Sequence, residues 1–221
     1  MMEDLKKKLN NKILLISNQV SLLLSNLLEM NPFINQISTF KSDFILPRLT
    51  KENMIKFKII IYDLNDGGFK KKYYNDDIKN YLLNGGNIIV THDHWSNEGT
   101  EQGLVDLIGA TIKVQNYSPV TKAKVLNNTH PVFNSFYKLE LENQSEFNIS
   151  QTHRTYTKYL DEDEYFKNLY IELNDNYHGE YLFIKEYGKG KIVFWNVGHT
   201  VDLKDIEQKL FMNILAWLCN N

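Results

Sequence analysis

The chain has 221 residues, 43% of them hydrophobic and 13% aromatic, which suffices for one α/β domain with a full core and excludes a disordered tail. Its formal net charge of −2 lacks the basic excess of a duplex-binding protein, so no nucleic-acid partner is expected, and Lys6-Lys7-Lys8 reads as a solvated helix face. The single cysteine, Cys219, excludes an intrachain disulfide and a cysteine metal site and is compatible with a reducing, cytoplasmic location.

In chain order, Lys12 to Ser17 is a short continuous apolar run of the kind a buried parallel strand shows. Ser17-Asn18-Gln19 interrupts it and no small-residue cleavage site follows, so it reads as a core strand and not as a signal peptide. No stretch approaches the roughly 20 apolar residues of a membrane span, and no membrane partner is expected. Val20 to Met30 carries Leu23, Leu24, Leu27 and Leu28 at helical spacing, closed by Pro32. Ile34 to Phe40 alternates weakly and is read as a second strand. Phe57 to Tyr62 is a strong strand, followed by the loop Asp63-Leu64-Asn65-Asp66-Gly67-Gly68.

Asn75-Asp76-Asp77 supplies a cap and an acidic first turn for a helix through Leu83, and Asn84-Gly85-Gly86 stops it. Asn87 to Thr91 is another buried strand, running into His92-Asp93-His94-Trp95-Ser96, with a helix over about Glu101 to Ile108. Alternating strands and helices predict a mostly parallel sheet with helices on both faces. Thr111 to Val114 and Ala123 to Leu126 read as short strands within an irregular middle that ends near Asn176. Glu140, Glu142 and Glu146 read as a solvated strand face. His153-Arg154 falls in that irregular middle. Glu180 to Glu186 and Lys191 to Val197 pair as a β-hairpin through Gly188-Lys189-Gly190. A final helix follows, capped by Asp202, with Leu203, Ile206, Leu210, Ile214 and Trp217 as its buried stripe. No linker or repeat divides the chain, so residues 1–221 are read as one domain.

Several of these segments resemble one family. Tyr187-Gly188-Lys189-Gly190-Lys191-Ile192-Val193-Phe194, followed by Val197-Gly198-His199, is similar to the C-terminal signature of the class I glutamine-amidotransferase-like superfamily, nearest its trehalose-utilisation (ThuA-like) branch. Asn84 to His92 resembles that branch's glycine pair, strand and histidine. Leu107-Ile108-Gly109-Ala110 and Asn128-Thr129-His130-Pro131-Val132-Phe133 resemble its later segments. Together these cover most of the chain from Phe57 onward.

The resemblance implies a flavodoxin-like sheet and places His199 at the position of the amidotransferase histidine. The nucleophile turn holds His92, Asp93 and His94 where a cysteine would stand, and Cys219 does not match that position. A thioester mechanism needs a thiolate beside its base, so glutamine amidotransferase and peptidase activities are not expected. The glutamate that follows the histidine in those enzymes is missing at the matching spacing, with Asp202 the nearest substitute.

The candidate site is a histidine-lined pocket at the strand ends. His94 and His199 are the candidate acid and base, because a near-neutral pKa suits proton transfer on a sugar hydroxyl or adjacent carbon. His92 and Asp93 orient them. Trp95 is a candidate sugar-stacking wall, although ordinary packing over the sheet edge is the simpler explanation. Asp63 and Asn65 follow a strand that should end at the same edge, as ligand contacts or turn caps. His92, His94 and His199 are also compatible with a divalent metal, since imidazole suits several such ions. A metal-free pocket is preferred, because no acidic ligand has diagnostic spacing. His130 before Pro131 reads as structural.

Two readings of function follow. The first is a ThuA-like domain that binds or processes a small molecule, with a carbohydrate as the candidate ligand class. The second is a non-catalytic interaction module of the same superfamily, with a second copy or another protein as partner. Tyr156, Tyr159, Tyr165, Tyr170 and Tyr177 would supply its contact surface.

Overall fold

The computed structural model describes residues 7, 12–17, 38–41, 51–63, 76–91, 110–159, 161–174, 179–197 and 203–220. The predicted helices over Val20–Met30 and Glu101–Ile108, and the capping Asp202, lie outside these residues.

Within them the strands are β1 (Ile13–Ser17), β2 (Ser38–Lys41), β3 (Ile59–Asp63), β4 (Asn87–Thr91), β5 (Ala110–Val125), β6 (Glu146–Tyr159), β7 (Leu169–Leu173), β8 (Glu180–Tyr187) and β9 (Gly190–Trp195). The α-helices are α1 (Lys51–Met54), α2 (Asp76–Leu83), α3 (Glu162–Lys167) and α4 (Asp205–Asn220), with a 3-10 turn at Pro131–Phe133. The strands form one sheet of nine in the order β2-β1-β3-β4-β9-β8-β7-β5-β6.

The pairings β1–β2, β1–β3, β3–β4 and β4–β9 are parallel. β9–β8, β8–β7, β7–β5 and β5–β6 are antiparallel. The sheet is therefore mixed, with a parallel half and an antiparallel half, where the sequence pattern predicted a mostly parallel one. The difference arises in the middle of the chain. β5 is one strand of 16 residues, not two short ones. Its pairing with β6 shifts register between Val114 and Pro119 and again between Val120 and Lys122. The first of those irregularities falls on the polar stretch Gln115–Ser118 that reads as a break. β6, α3 and β7 fill the remainder.

Period-two alternation in the apolar strands serves two cores, because successive strand residues point to opposite faces. Ile13, Leu15, Ile59, Ile61, Ile89, Val193 and Trp195 face α4, whose Leu210, Phe211, Ile214, Leu215 and Leu218 complete that cluster. Leu14, Ile16, Ile60, Tyr62, Ile88, Val90, Ile192 and Phe194 face the other way, against Met54 of α1, Ile78, Tyr81 and Leu82 of α2, and Tyr165 of α3. Each such side chain withdrawn from water contributes about 1.5–3 kcal/mol. Both clusters are thus needed to hold the sheet between its helices.

α4 carries the predicted stripe: Leu210, Ile214 and Trp217 are buried and Ile206 packs against the core. The helix is also buried on its outer side. Asn213 Oδ1 accepts the Phe136 and Tyr137 backbone N–H groups at 3.0 and 2.7 Å, and its Nδ2 donates to the Tyr137 carbonyl at 2.8 Å. This one side chain ties the segment after the 3-10 turn across α4. No helix among the described residues is long and apolar enough to cross a membrane.

Two glycines set where the parallel strands begin. Gly85 follows α2 at φ 97°, a left-handed value that ends the helix without a Cβ penalty. Gly190 opens β9 so close to the preceding turn that an added Cβ would overlap the carbonyl oxygens of Gly86 and Leu82.

Candidate functional site

The parallel strands β1, β3, β4 and β9 run side by side, so their carboxyl ends share one edge. Ser17 pairs with Asp63 there, and Thr91 with Trp195. In open α/β sheets this edge is where ligands bind, because loops leaving neighbouring strands converge on it. Asp63 is the last residue of β3 at this edge, where the sequence reading made it the first of the following loop. His92 is the next residue after Thr91, the last of β4. His92, Asp93, His94, Trp95, Asn65 and His199 themselves lie outside the described residues. Among the described residues no cluster of three His, Cys, Asp or Glu side chains could hold a metal ion.

What is described is the floor beneath that edge. Thr91 is fully buried, with its Oγ1 3.4 Å from the Tyr62 carbonyl. Next to it, just past β9, Asn196 is buried and triply bonded. Its backbone N–H donates to the Tyr181 carbonyl at 2.9 Å and its Nδ2 to the Glu180 carbonyl at 3.1 Å. Its Oδ1 accepts from Thr152 Oγ1 of β6 at 2.8 Å.

A second knot lies beside the first. Glu207, in the first turn of α4, is 0% exposed. Its Oε2 accepts the Ser150 backbone N–H at 2.8 Å and the Lys204 backbone N–H at 2.9 Å. Its Oε1 accepts from Ser150 Oγ at 2.9 Å and Tyr181 Oη at 2.5 Å. The carboxylate caps its own helix through Lys204, as the glutamate of a capping box does. It also satisfies three donors from β6 and β8, which is what makes its burial affordable. The Tyr181 hydroxyl is held well above the usual phenol range, first by burial and then by the adjacent Glu207 charge, with the Trp195 indole acting in the opposite sense.

These contacts also report the shape of the sheet. β6 and β9 are four strand positions apart, about 19 Å on a flat sheet at ~4.8 Å per strand. Thr152 nevertheless bonds Asn196 directly. The antiparallel half must therefore roll back, bringing β6 to the carboxyl end of β9. His153 and Arg154, which the sequence placed in an irregular region, continue β6 immediately after Thr152.

Ser150, Thr152, Tyr181, Asn196 and Glu207 were not singled out from sequence. Glu207 left one signal there: a carboxylate four residues after Leu203 and three before Leu210, on the face of the apolar stripe.

The opposite edge of the sheet has a different character. Cys219 is buried near the end of α4, and its carbonyl accepts from Lys58 Nζ at 2.9 Å, just before β3 begins. It is thus remote from the carboxyl edge, in keeping with its mismatch to the nucleophile position. His130 caps the 3-10 turn, its Nδ1 accepting the Val132 N–H at 3.3 Å. Its ring packs 4.6 Å from Tyr170 and 4.5 Å from Trp217. Glu140, Glu142 and Glu146 are exposed. Glu140 and Glu142 line a shallow cleft of about 440 Å³ with Asn128, Asn134 and Lys138.

The fold and its polar carboxyl edge define an α/β domain built on a mixed sheet covered by helices on both faces. The family model for ThuA, trehalose utilisation, matches residues 17–217, and the chain belongs to that family. Among solved structures, a ThuA-like protein from Bacteroides uniformis matches with a TM-score of 0.69 at 13% identity, over 96% of this chain and 91% of that one. A cytoplasmic protein from Salmonella typhimurium LT2 matches with a TM-score of 0.55 at 13% identity, over 93% and 99%. A β-galactosidase from Bacillus circulans matches with a TM-score of 0.57 at 10% identity, over 92% of this chain but 30% of the enzyme. At these identities the likeness is one of fold. No curated protein matches the chain significantly.

Proposed function

We propose that this ThuA family member binds or processes a small carbohydrate-like molecule at the carboxyl edge of its parallel strands. One observation carries the reading: β3, β4 and β9 end together, with Asp63 at the end of β3, His92 next in sequence to the end of β4, and Asn196 three residues before His199. The family's description as trehalose utilisation favours a sugar or polyol. The fold of this chain also recurs within a β-galactosidase.

In this reading the sheet is flavodoxin-like and β8–β9 is its closing hairpin. His94 and His199 act as acid and base. His92 and Asp93 orient them, and Trp95, Asp63 and Asn65 contact the ligand. An imidazole titrates near neutrality, so a pair of them can take and return a proton on a sugar hydroxyl or the adjacent carbon. The nucleophile turn offers no thiol, so the chemistry is not amide transfer. A cytoplasmic location agrees with the description of the Salmonella protein.

The test is a thermal-shift and calorimetric panel of neutral mono- and disaccharides, trehalose included. Binding that His199→Ala and His94→Ala abolish supports the reading. Absence of any sugar binding, or binding that both variants retain, overturns it. Elemental analysis of the purified protein decides between the metal-free pocket and a three-histidine divalent-metal site.

The alternative, a non-catalytic interaction module, draws on the long ribbon of β5 and β6, of 16 and 14 residues. Tyr165 contributes nothing to such a surface, being 1% exposed and stacked on Phe183 at 4.8 Å. A second copy or another protein would then be the partner. A strictly monomeric, partner-free species in native extract would remove this reading.

A further inference from the structure

The cleft of about 440 Å³ beside α4 lies apart from the carboxyl edge of the parallel strands. Two stretches of the loop between β5 and β6 line it. The first supplies Asn128, Phe133 and Asn134. In the second, residues 138–142, exposure alternates: Lys138, Glu140 and Glu142 are exposed, Leu139 is buried and Leu141 half-buried. That is the period of an extended segment, so the three charged residues share one side. Phe133, Leu139 and Leu141 give the cleft an apolar floor.

The loop is held in place without four of its polar side chains. Asn213 of α4 binds the backbone of Phe136 and Tyr137. The Leu139 N–H donates to the Phe133 carbonyl at 2.9 Å. Asn128 Nδ2 donates to the Leu141 carbonyl at 2.8 Å, and the Asn128 backbone N–H to Asn143 Oδ1 at 2.7 Å. Among the described residues, the side chains of Asn134, Lys138, Glu140 and Glu142 make no hydrogen bond or ion pair. Glu140 acts at a distance on Lys209, whose ammonium is already paired with Asp205 at 2.6 Å.

We propose that this cleft is a second binding site, for a neutral, hydroxyl-rich ligand of carbohydrate type, separate from the carboxyl edge. The lining selects the class. Two carboxylates repel an anionic ligand, and the Lys138 ammonium in the same row opposes a cationic one. A hydroxyl both donates and accepts. It can donate to Glu140 or Glu142 and accept from Lys138 or the Asn134 amide, so several hydroxyls are satisfied along the row without a net charge. The apolar floor suits the C–H face of a sugar ring, and the volume falls within the roughly 300–1,000 Å³ of small-molecule pockets. Because the loop is tied down before any ligand arrives, little ordering cost is subtracted from affinity. The site stands whether or not a sugar binds at the carboxyl edge.

The test is amide chemical-shift mapping by NMR on the full chain, which places each bound probe residue by residue. The probes are the neutral sugars trehalose, cellobiose and maltotriose, the anion glucuronate and the diamine putrescine. The neutral sugars should shift amides within 128–142 saturably, with dissociation constants in the millimolar range, and glucuronate and putrescine should not. Asn134→Ala combined with Glu142→Ala changes two exposed positions. The double variant should keep its thermal midpoint within about 2 °C and weaken sugar binding at the cleft at least about tenfold. His199→Ala should leave the shifts within 128–142 unchanged. No sugar-induced shift there at about 50 mM, or shifts that the double variant retains, would overturn the assignment. So would shifts from putrescine or glucuronate that match those of the sugars. Shifts confined to strand-end residues such as Asp63 and Thr91 would remove the cleft and leave the carboxyl-edge reading standing, so the two sites can fail separately.

Discussion

His130 offers a direct test of the packing at the amino edge of the sheet. Its ring lies against Tyr170 and Trp217, with the Lys191 ammonium 5.2 Å from the centre of the Trp217 ring. Burial, and then the nearby Lys191 charge, lower its pKa from 6.5 to about 4. Protonation would also turn Nδ1 from an acceptor into a donor and break the bond from Val132 N–H that starts the 3-10 turn.

The sign follows from proton counting. Above pH 6.5 the imidazole is neutral in both the folded and unfolded chain, and the packing is fully stabilising. As pH falls from 6.5 toward about 4 the unfolded chain takes up a proton that the folded one refuses, so stability drops. Below about 4 both forms are protonated and the loss levels off. The full difference would be worth about 3 kcal/mol, but the ring is partly open to solvent, and screening reduces this to about 1–2 kcal/mol.

His130→Asn isolates the effect, because asparagine caps a helical turn well and does not titrate. We expect the variant to lose about 1 kcal/mol or less at pH 7.5 through lost ring packing. Relative to the wild type it should regain about 1–2 kcal/mol by pH 4.5. Urea titrations followed by tryptophan fluorescence, repeated between pH 4 and 8, give the difference curve, from which the remaining histidines cancel. A flat difference, or an NMR titration of His130 at or above 6.5, would refute the reasoning. Lys191→Met should raise the His130 titration only in part, since burial is the larger cause.

Three further substitutions probe the frame. Glu207→Leu strands the Ser150 and Lys204 N–H groups and two hydroxyls, and should cost about 3–5 kcal/mol in urea denaturation, more than Glu207→Gln at about 1–3; the reverse order would mean that the carboxylate is not the acceptor described. Gly190→Ala forces a Cβ onto two backbone carbonyls and should lower thermal stability by about 3 kcal/mol or more, whereas a near-neutral result would require the β4–β9 junction to be looser than it is. Asn213→Ala removes the tie over α4 and should cost about 2–4 kcal/mol, with faster proteolysis around residues 134–139; unchanged cleavage there would separate the tie from the segment it is held to fix.

The parallel half of the fold was legible because its strands are apolar without interruption. Ile13–Ile16, Ile59–Tyr62 and Asn87–Val90 bury both faces, and only a strand covered by helices on both sides can do so. The stop at Gly85-Gly86 and the turn at Gly188-Lys189 were legible for the complementary reason, that few residues accept those backbone values. β5 and β6 were not legible as long strands. Their sequences alternate weakly, β5 contains Pro119 and a register shift, and a strand of 16 residues can look like two short ones when its centre is polar.

The site was legible in part, and the reason for the limit is geometric. Strand ends can be counted from sequence, so Asp63, and the departure of His92 from β4, follow from the alternation of strand and helix. The buried polar contacts of Thr152, Asn196, Ser150 and Glu207 cannot be counted in that way. Thr152 and Asn196 stand 44 residues apart and four strand positions apart in the sheet, and only the roll of the antiparallel half makes them neighbours. Glu207 is 57 residues from Ser150, and although its spacing from Leu203 and Leu210 puts it on the buried stripe of α4, spacing does not name the partners that meet it. Local pattern therefore marks where strands end, while long-range curvature selects the polar groups that meet beneath those ends. In this fold the polar middle of the chain reaches the carboxyl end of β9, through the bond from Thr152 of β6 to Asn196. On the carbohydrate reading proposed above, substitutions in β6 should alter sugar affinity as strongly as many substitutions on the parallel strands. An alanine scan of β6 that left sugar binding untouched while disturbing only stability would separate the two halves of the sheet functionally.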